Sequence, residues 1–171
     1  PTGTLTVSDN KVPVNELEVL YTSTDGAGYS AATAPKDAGA YKVEYKVADS
    51  NPNYTGSESY TFTISKKDAT AAPKAVNITK GSAIPAFELV YSGLVSGESL
   101  TPSATPIFTC YETGTTTPVS TSTAAGTYTI TWTNMAGTTF TGAGSTNYTV
   151  TTSPTATLTI SNPSYSGGGS Y

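Results

Sequence analysis

Apolar and polar residues alternate one by one in run after run of this chain. Leu5 and Val7 stand among Thr4, Thr6 and Ser8, and Leu17, Val19 and Tyr21 among Glu18, Leu20 and Thr22. Tyr41, Val43, Tyr45 and Val47 alternate with Lys42, Glu44 and Lys46, and Tyr60, Phe62 and Ile64 with Thr61, Thr63 and Ser65. The same spacing returns at Phe87, Leu89 and Tyr91, at Tyr128, Ile130 and Trp132, at Tyr148 and Val150, and at Leu158 and Ile160. A strand points successive side chains to opposite faces, so each run predicts a strand with one packed face and one wet face. From Ile107 to Tyr111 the alternation sets Phe108 and Cys110 on one face and Ile107, Thr109 and Tyr111 on the other. No stretch shows a 3.6-residue apolar period, and the chain is predicted to be all-β. Turn signals such as Asp25-Gly26, Asn51-Pro52-Asn53, Ser92-Gly93 and Ala125-Gly126 recur at intervals of roughly 8–15 residues, the spacing of a β-sandwich built from short strands.

The pattern occurs twice. Asp37-Ala38-Gly39-Ala40-Tyr41 answers to Ala124-Ala125-Gly126-Thr127-Tyr128, Asn53-Tyr54-Thr55 to Asn147-Tyr148-Thr149, and Tyr60 to Ser65 answers to Ala156 to Ser161. The second copy is longer, with an insertion around Gly137 to Ser145. Two tandem small antiparallel β-sandwich modules are therefore expected, over residues 1–68 and 69–162, joined by the polar stretch that begins at Lys66. The first is short, so a reduced sandwich or a β-grasp-like sheet is the open alternative there. Residues 1–9 match residues 154–162 closely. They read as the first strand of this module, or else as the last strand of a preceding one. Residues 163–171 have Gly/Ser linker composition and are expected to be a flexible tail, with more chain beyond it.

Composition narrows the chemistry. Only 12% of the 171 residues are charged, while 34 are Thr. Hydroxyls replace charges on the predicted wet faces, where β-branched Thr sits comfortably. The absence of His removes a His-based triad and His-ligated metals, and the lone Cys110 removes a disulfide framework. A net charge of -4 with no Arg argues against nucleic acid. No apolar run reaches the length of a membrane span. No cofactor is expected.

With these residues the chain resembles the Ig-like repeats of large bacterial cell-surface proteins. The second module, through Ile84-Pro85-Ala86-Phe87, Tyr91-Ser92-Gly93-Leu94, Ala125-Gly126-Thr127-Tyr128, Asn147-Tyr148 and Ala156 to Ile160, resembles the MBG domain of bacterial adhesin-like proteins. The first, through Leu20 to Gly26, Tyr29-Ser30, Asp37 to Tyr41 and Asn53-Tyr54, is similar to the bacterial Ig-like repeats often strung with it. The resemblance implies an extracellular, non-enzymatic stalk, spacer or adhesive region, monomeric within a longer chain. Its implied partners are host or cell-wall glycans or proteins. It implies no catalytic residue.

Each candidate for chemistry has a plainer structural reading beside it. Trp132 is in phase with Ile130 and reads as core rather than as a sugar platform, and the same phase puts Tyr41, Tyr45, Tyr60 and Tyr91 inward. Loop aromatics are the better ligand candidates. Tyr111, Phe140 and Tyr148 are the expected binding residues if the module holds a glycan or mucin, with Tyr29 and Tyr54 behind them; alternatively these rings cover the ends of the core. Asp49-Ser50-Asn51-Pro52-Asn53 begins like a calcium loop, but Tyr54 stands where glycine is needed, so an Asx-rich turn is expected. Cys110 reads as a buried free thiol. The acids Glu16 and Glu18, and Glu88, Glu98 and Glu112 in the second module, form no motif of paired carboxylates. An enzyme is not expected, though an accessory domain of a secreted carbohydrate-active enzyme is a further alternative.

Overall fold

In the computed structural model, residue 12 and residues 14–164 are described. The expected strand at residues 1–9 lies outside them, as do residues 165–171 of the expected tail. The chain divides into two compact units, Pro1–Lys66 and Lys67–Tyr171. It is all-β, with short 3-10 turns as its helical features among the described residues.

The first unit carries a 3-10 turn, Val14–Glu16, then β1 (Leu17–Ser23), β2 (Ser30–Ala31), β3 (Gly39–Val47) and β4 (Ser57–Ile64). Among the described residues these form one four-stranded antiparallel sheet, ordered β2-β1-β3-β4. Among the described residues, this unit shows one sheet and no second layer. Its packed face is the predicted one. Tyr41, Val43 and Val47 are buried on β3, and across the ladder they meet Tyr21, Leu17 and Phe62. The loop between β2 and β3 is drawn onto this face: Pro35 is buried, and the Tyr29 hydroxyl donates to the Thr33 carbonyl at 2.6 Å. Tyr41 stacks on Phe62 with centroids 5.6 Å apart and takes the edge of Tyr29 at 5.9 Å. Tyr60 departs from the expectation that it points inward under cover, being 53% exposed. It sits on the edge strand, where no described strand flanks it on the outer side.

The second unit is a two-layer body with β5 (Lys67–Pro73), β6 (Val76–Thr79), β7 (Leu89–Ser92), β8 (Thr101–Pro102), β9 (Phe108–Cys110), β10 (Gly126–Trp132), β11 (Phe140–Thr141), β12 (Tyr148–Thr152) and β13 (Thr155–Ser161). One layer is ordered β6-β13-β10-β9, the other β12-β5-β7, with β8 and β11 as a separate short ladder. Two pairings are parallel, β5 with β12 and β6 with β13, where the sequence suggested antiparallel sheets throughout. The cause is local. Buried Pro73 ends β5. The chain then leaves one layer for the other at Lys74, held there by Lys74 N–H to the Glu88 carbonyl at 2.8 Å and by the Lys74–Glu88 ion pair at 2.6 Å.

The Lys66–Ala72 stretch, expected to be a polar junction, is therefore mostly a central strand. Ala69 is 3% and Ala71 0% exposed, and β5 packs against β10 and β13 of the facing layer. Alanine is a weak strand former, but its small side chain lets facing layers come close. Two clusters fill the body. Cys110, Ile130, Leu158 and Ile160 form one, lined by Phe87, Phe108, Val76 and Ile78. Ala69, Leu100 and Tyr148 form the other, lined by Tyr91, Leu94, Phe140 and Val150. Ile130 and Leu158 are wholly buried, each contributing about 1.5–3 kcal/mol relative to exposure. Trp132, 2% exposed, is core as expected. Its indole N–H donates to Asn134 Oδ1 at 2.9 Å, and that oxygen also accepts from Ile107 N–H at 2.8 Å.

Candidate functional site

The loop between β11 and β12 places two of the three expected binding residues. Gly144, in the left-handed region, opens a 3-10 turn over Ser145–Asn147 that delivers Tyr148 into β12. A side chain on Gly144 would run into the Glu98 carboxylate, so this loop wraps closely around Glu98. The Tyr148 hydroxyl donates to Glu98 Oε2 and accepts from Val95 N–H at 2.7 Å. Asn147 Nδ2 reaches the other Glu98 oxygen at 3.5 Å. Burial raises the Tyr148 phenol above the ordinary tyrosine value, and its bond to Glu98 adds to this, against a smaller lowering by Val95 N–H. Tyr148 is 4% exposed, so its ring has no open face to offer a ligand. Phe140 is half-buried in the same cluster and meets the edge of Tyr91 at 6.2 Å and 90°. These two residues come together as a packed seam of the core.

Tyr111 stands apart from them. It follows β9, is 43% exposed and forms a lone antiparallel bridge with Pro118. The turn it opens is closed by Glu112 N–H to the Thr117 carbonyl at 2.9 Å. Glu112 Oε1 accepts from buried Thr123 at 2.7 Å. As the alternation indicated, Ile107 and Tyr111 are exposed while Cys110 is buried. Cys110 is a free thiol whose pKa burial pushes up. The structure offers Tyr111 as a single exposed ring and not as part of an aromatic row with Phe140 and Tyr148.

The three glutamates of the second unit have structural partners: Glu88 pairs with Lys74, Glu98 holds Tyr148, and Glu112 holds Thr123. In the first unit Asp25 accepts from Ala40 N–H at 3.0 Å and from Ala27 N–H at 3.1 Å, and these two bonds lower its carboxyl below the ordinary aspartate value. Among the described residues no group of three or more His, Cys, Asp or Glu side chains could hold a metal ion. The Asp49–Asn53 segment is an Asx turn. Asn51 Oδ1 accepts from Asn53 N–H at 2.9 Å and Tyr54 N–H at 3.0 Å, and Asn51 Nδ2 donates to Glu16 at 2.5 Å. Asp49 pairs with Lys46 at 2.7 Å. Beside this turn lies a shallow polar cleft of about 260 Å³, with Lys46, Asp49, Asn51 and Tyr54 in its wall. Sequence reading did not find it, because it forms from the main-chain path between β3 and β4 and from no residue pattern. No helix of the described residues is long and apolar enough to cross a membrane.

A second tight spot explains a sequence signal. Gly93 follows Tyr91-Ser92 at the end of β7 with φ +84°, and a Cβ there would stand 2.6 Å from the Asp68 carbonyl oxygen of β5. Glycine is the residue that permits both the backbone conformation and the close approach. A family model for the MBG domain, YGX type, matches residues 69–159, just over half of the chain and nearly all of the strands of the second unit. No curated protein and no solved structure matches.

Proposed function

The chain belongs to the MBG domain family, YGX type, a repeat domain of surface-type proteins, and from that premise we propose that it is a non-enzymatic extracellular spacer from the stalk of a bacterial cell-surface protein. The observation that supports this most is where the aromatic residues are used. Tyr148 is locked by Glu98 and Val95, Phe140 packs on Tyr91, and Trp132 is tied to Asn134 inside the core. Side chains that would serve a glycan are engaged in holding strands together. Wet faces of threonine need no ion pairs to stay soluble, so their hydration varies little with salt. Modules of this kind strung in a longer chain extend a distal region from the cell wall.

A glycan array probed with the full chain tests the reading. The spacer predicts no binding to mucin-type, host or cell-wall oligosaccharides. Binding abolished by Tyr111→Ala would support the second reading, a glycan-binding module, which the exposure of the Tyr111 ring favours.

A further inference from the structure

Sheets in the two units share one register, yet their wet sides differ. β3 and β4 pair Tyr41 with Phe62 and Lys42 with Thr61; β10 and β13 pair Tyr128 with Leu158 and Thr129 with Thr157. Next to these, β1 sets Leu20 opposite Glu44, as β9 sets Thr109 opposite Thr131. The first unit thus carries Lys42 and Glu44 where the second carries Thr129 and Thr131. Charged residues suit these positions of the fold, so the strand geometry does not by itself call for threonine there.

Threonine nevertheless fills the wet side of β10 and β13, the two central strands of their layer. Thr127, Thr129 and Thr131 stand opposite Thr159, Thr157 and Thr155. Thr131 and Thr159 are half-buried and the other four are exposed. The flanking strands continue the face without charge, through Thr109 opposite Thr131 and Asn77 opposite Thr159. The wet side of the other layer is different, since Asp68 stands there opposite Thr149.

The six threonines form a grid of two by three. Opposed residues lie about 4.5–5.5 Å apart across the pair, and every second residue lies about 6.7 Å further along the strand. Both spacings are close to repeat distances between oxygen atoms in hexagonal ice. Each threonine offers a hydroxyl that can join a water lattice and a methyl around which water closes a cage. Twist turns each strand by roughly 20–25° against the next, which confines the match to the adjacent pair β10 and β13. A protein partner fits the face less well. Four strands by three residue pairs cover roughly 15 Å by 15 Å, well below the ~800 Å² that each partner gives to a standard interface. Hydroxyls buried against a protein would each need a hydrogen-bond partner, and an ice surface supplies one at every lattice point.

We propose that the threonine grid of β10 and β13 is an ice-binding face, its ligand the ordered water of an ice surface. This goes beyond the spacer reading and does not rest on it.

The test uses the full chain and slow growth of ice from a stirred solution that also holds a bystander protein of similar size and charge. The parent chain should be retained in the ice while the bystander stays in the liquid. Thr129→Lys combined with Thr131→Glu installs the charges that the first unit carries at the matching positions. This double variant should lose the retention and keep the parent's thermal unfolding midpoint. Thr157→Lys on the neighbouring strand should lose the retention as well. Thr151→Lys, at an exposed position of β12 in the other layer, should be retained like the parent. Exclusion of the parent from the ice would overturn the proposal. So would retention of the double variant, or an equal loss in Thr151→Lys. Sedimentation of the parent as a dimer that the double variant dissociates would also overturn it, and would make the face a contact between copies.

Discussion

The Tyr128 hydroxyl donates to the carbonyl of Ala124, four residues back, at 2.8 Å. In the first unit Tyr41 makes the same bond to the Asp37 carbonyl at 2.9 Å. In both, the ring folds back over the glycine that opens the strand: a Cβ on Gly39 would crowd the Asp25 carboxylate and the Tyr41 ring, whereas one on Gly126 would make ordinary contact with the Tyr128 ring. The bond pins the turn to the first residues of the strand, and its recurrence ties the sequence repeat to a shared local structure. Tyr128→Phe and Tyr41→Phe keep the ring and remove the bond. Each should cost about 1 kcal/mol of unfolding free energy, read as a lower urea midpoint.

Gly93 and Gly114 both have positive φ, +84° and +73°, but only Gly93 is crowded by main chain. Gly114→Ala should cost only the left-handed penalty, roughly 1–2 kcal/mol. Gly93→Ala must also push β7 away from Asp68, and should cost clearly more, about 3 kcal/mol or above. Equal losses in thermal or urea unfolding would contradict the described contact between β5 and β7.

Stability should fall at alkaline pH. Burial raises the phenols of Tyr21, Tyr41, Tyr91 and Tyr148 and the thiol of Cys110 in the folded chain. Above the unfolded values, about 8.5 for cysteine and about 10 for tyrosine, the unfolded chain gives up these protons while the folded chain keeps them. The unfolded state then binds fewer protons, so unfolding free energy decreases as pH rises. The contribution is fully present below about pH 8.5 and is lost through the folded values above it. Tyr148→Phe should flatten the decline between pH 9 and 11 in a series of urea titrations; an unchanged slope would mean that the phenol is not held by Glu98.

Cys110 should react with a thiol reagent slowly in the native chain and completely after unfolding in denaturant. Its burial at 5% exposure and its raised pKa both withhold the thiolate. Rapid native labelling would place it on the wet face of β9 and shift the register of that strand by one residue.

Much of this was readable from alternation. Ile130, Leu158, Ile160, Tyr41 and Val43 lie on the buried faces that their spacing assigned, since a one-residue slip would have turned each apolar set to water. The strand through Ala69 and Ala71 was not readable. Alanine gives little hydrophobic contrast, and only the facing layer shows why a small residue belongs there. The two parallel pairings were hidden for a related reason, because they depend on the chain changing layers at Pro73 and Lys74. For the candidate site, the repeated Asn-Tyr pair looks alike in both modules, yet the structure treats its two rings differently: Tyr148 is buried by the Glu98 loop, whereas Tyr54 is 38% exposed. The residues that seal Tyr148 are about 50 positions away in sequence, beyond any local pattern.

The most direct test compares Phe140→Ala with Tyr111→Ala in equilibrium unfolding. If the aromatic residues near the β11–β12 loop hold the core, Phe140→Ala loses roughly 2–3 kcal/mol, somewhat below the cost at a fully buried phenylalanine. Tyr111→Ala, an exposed ring, changes stability by no more than about 0.5 kcal/mol. A Phe140→Ala chain as stable as the parent would contradict the account and return that ring to the surface as a binding residue.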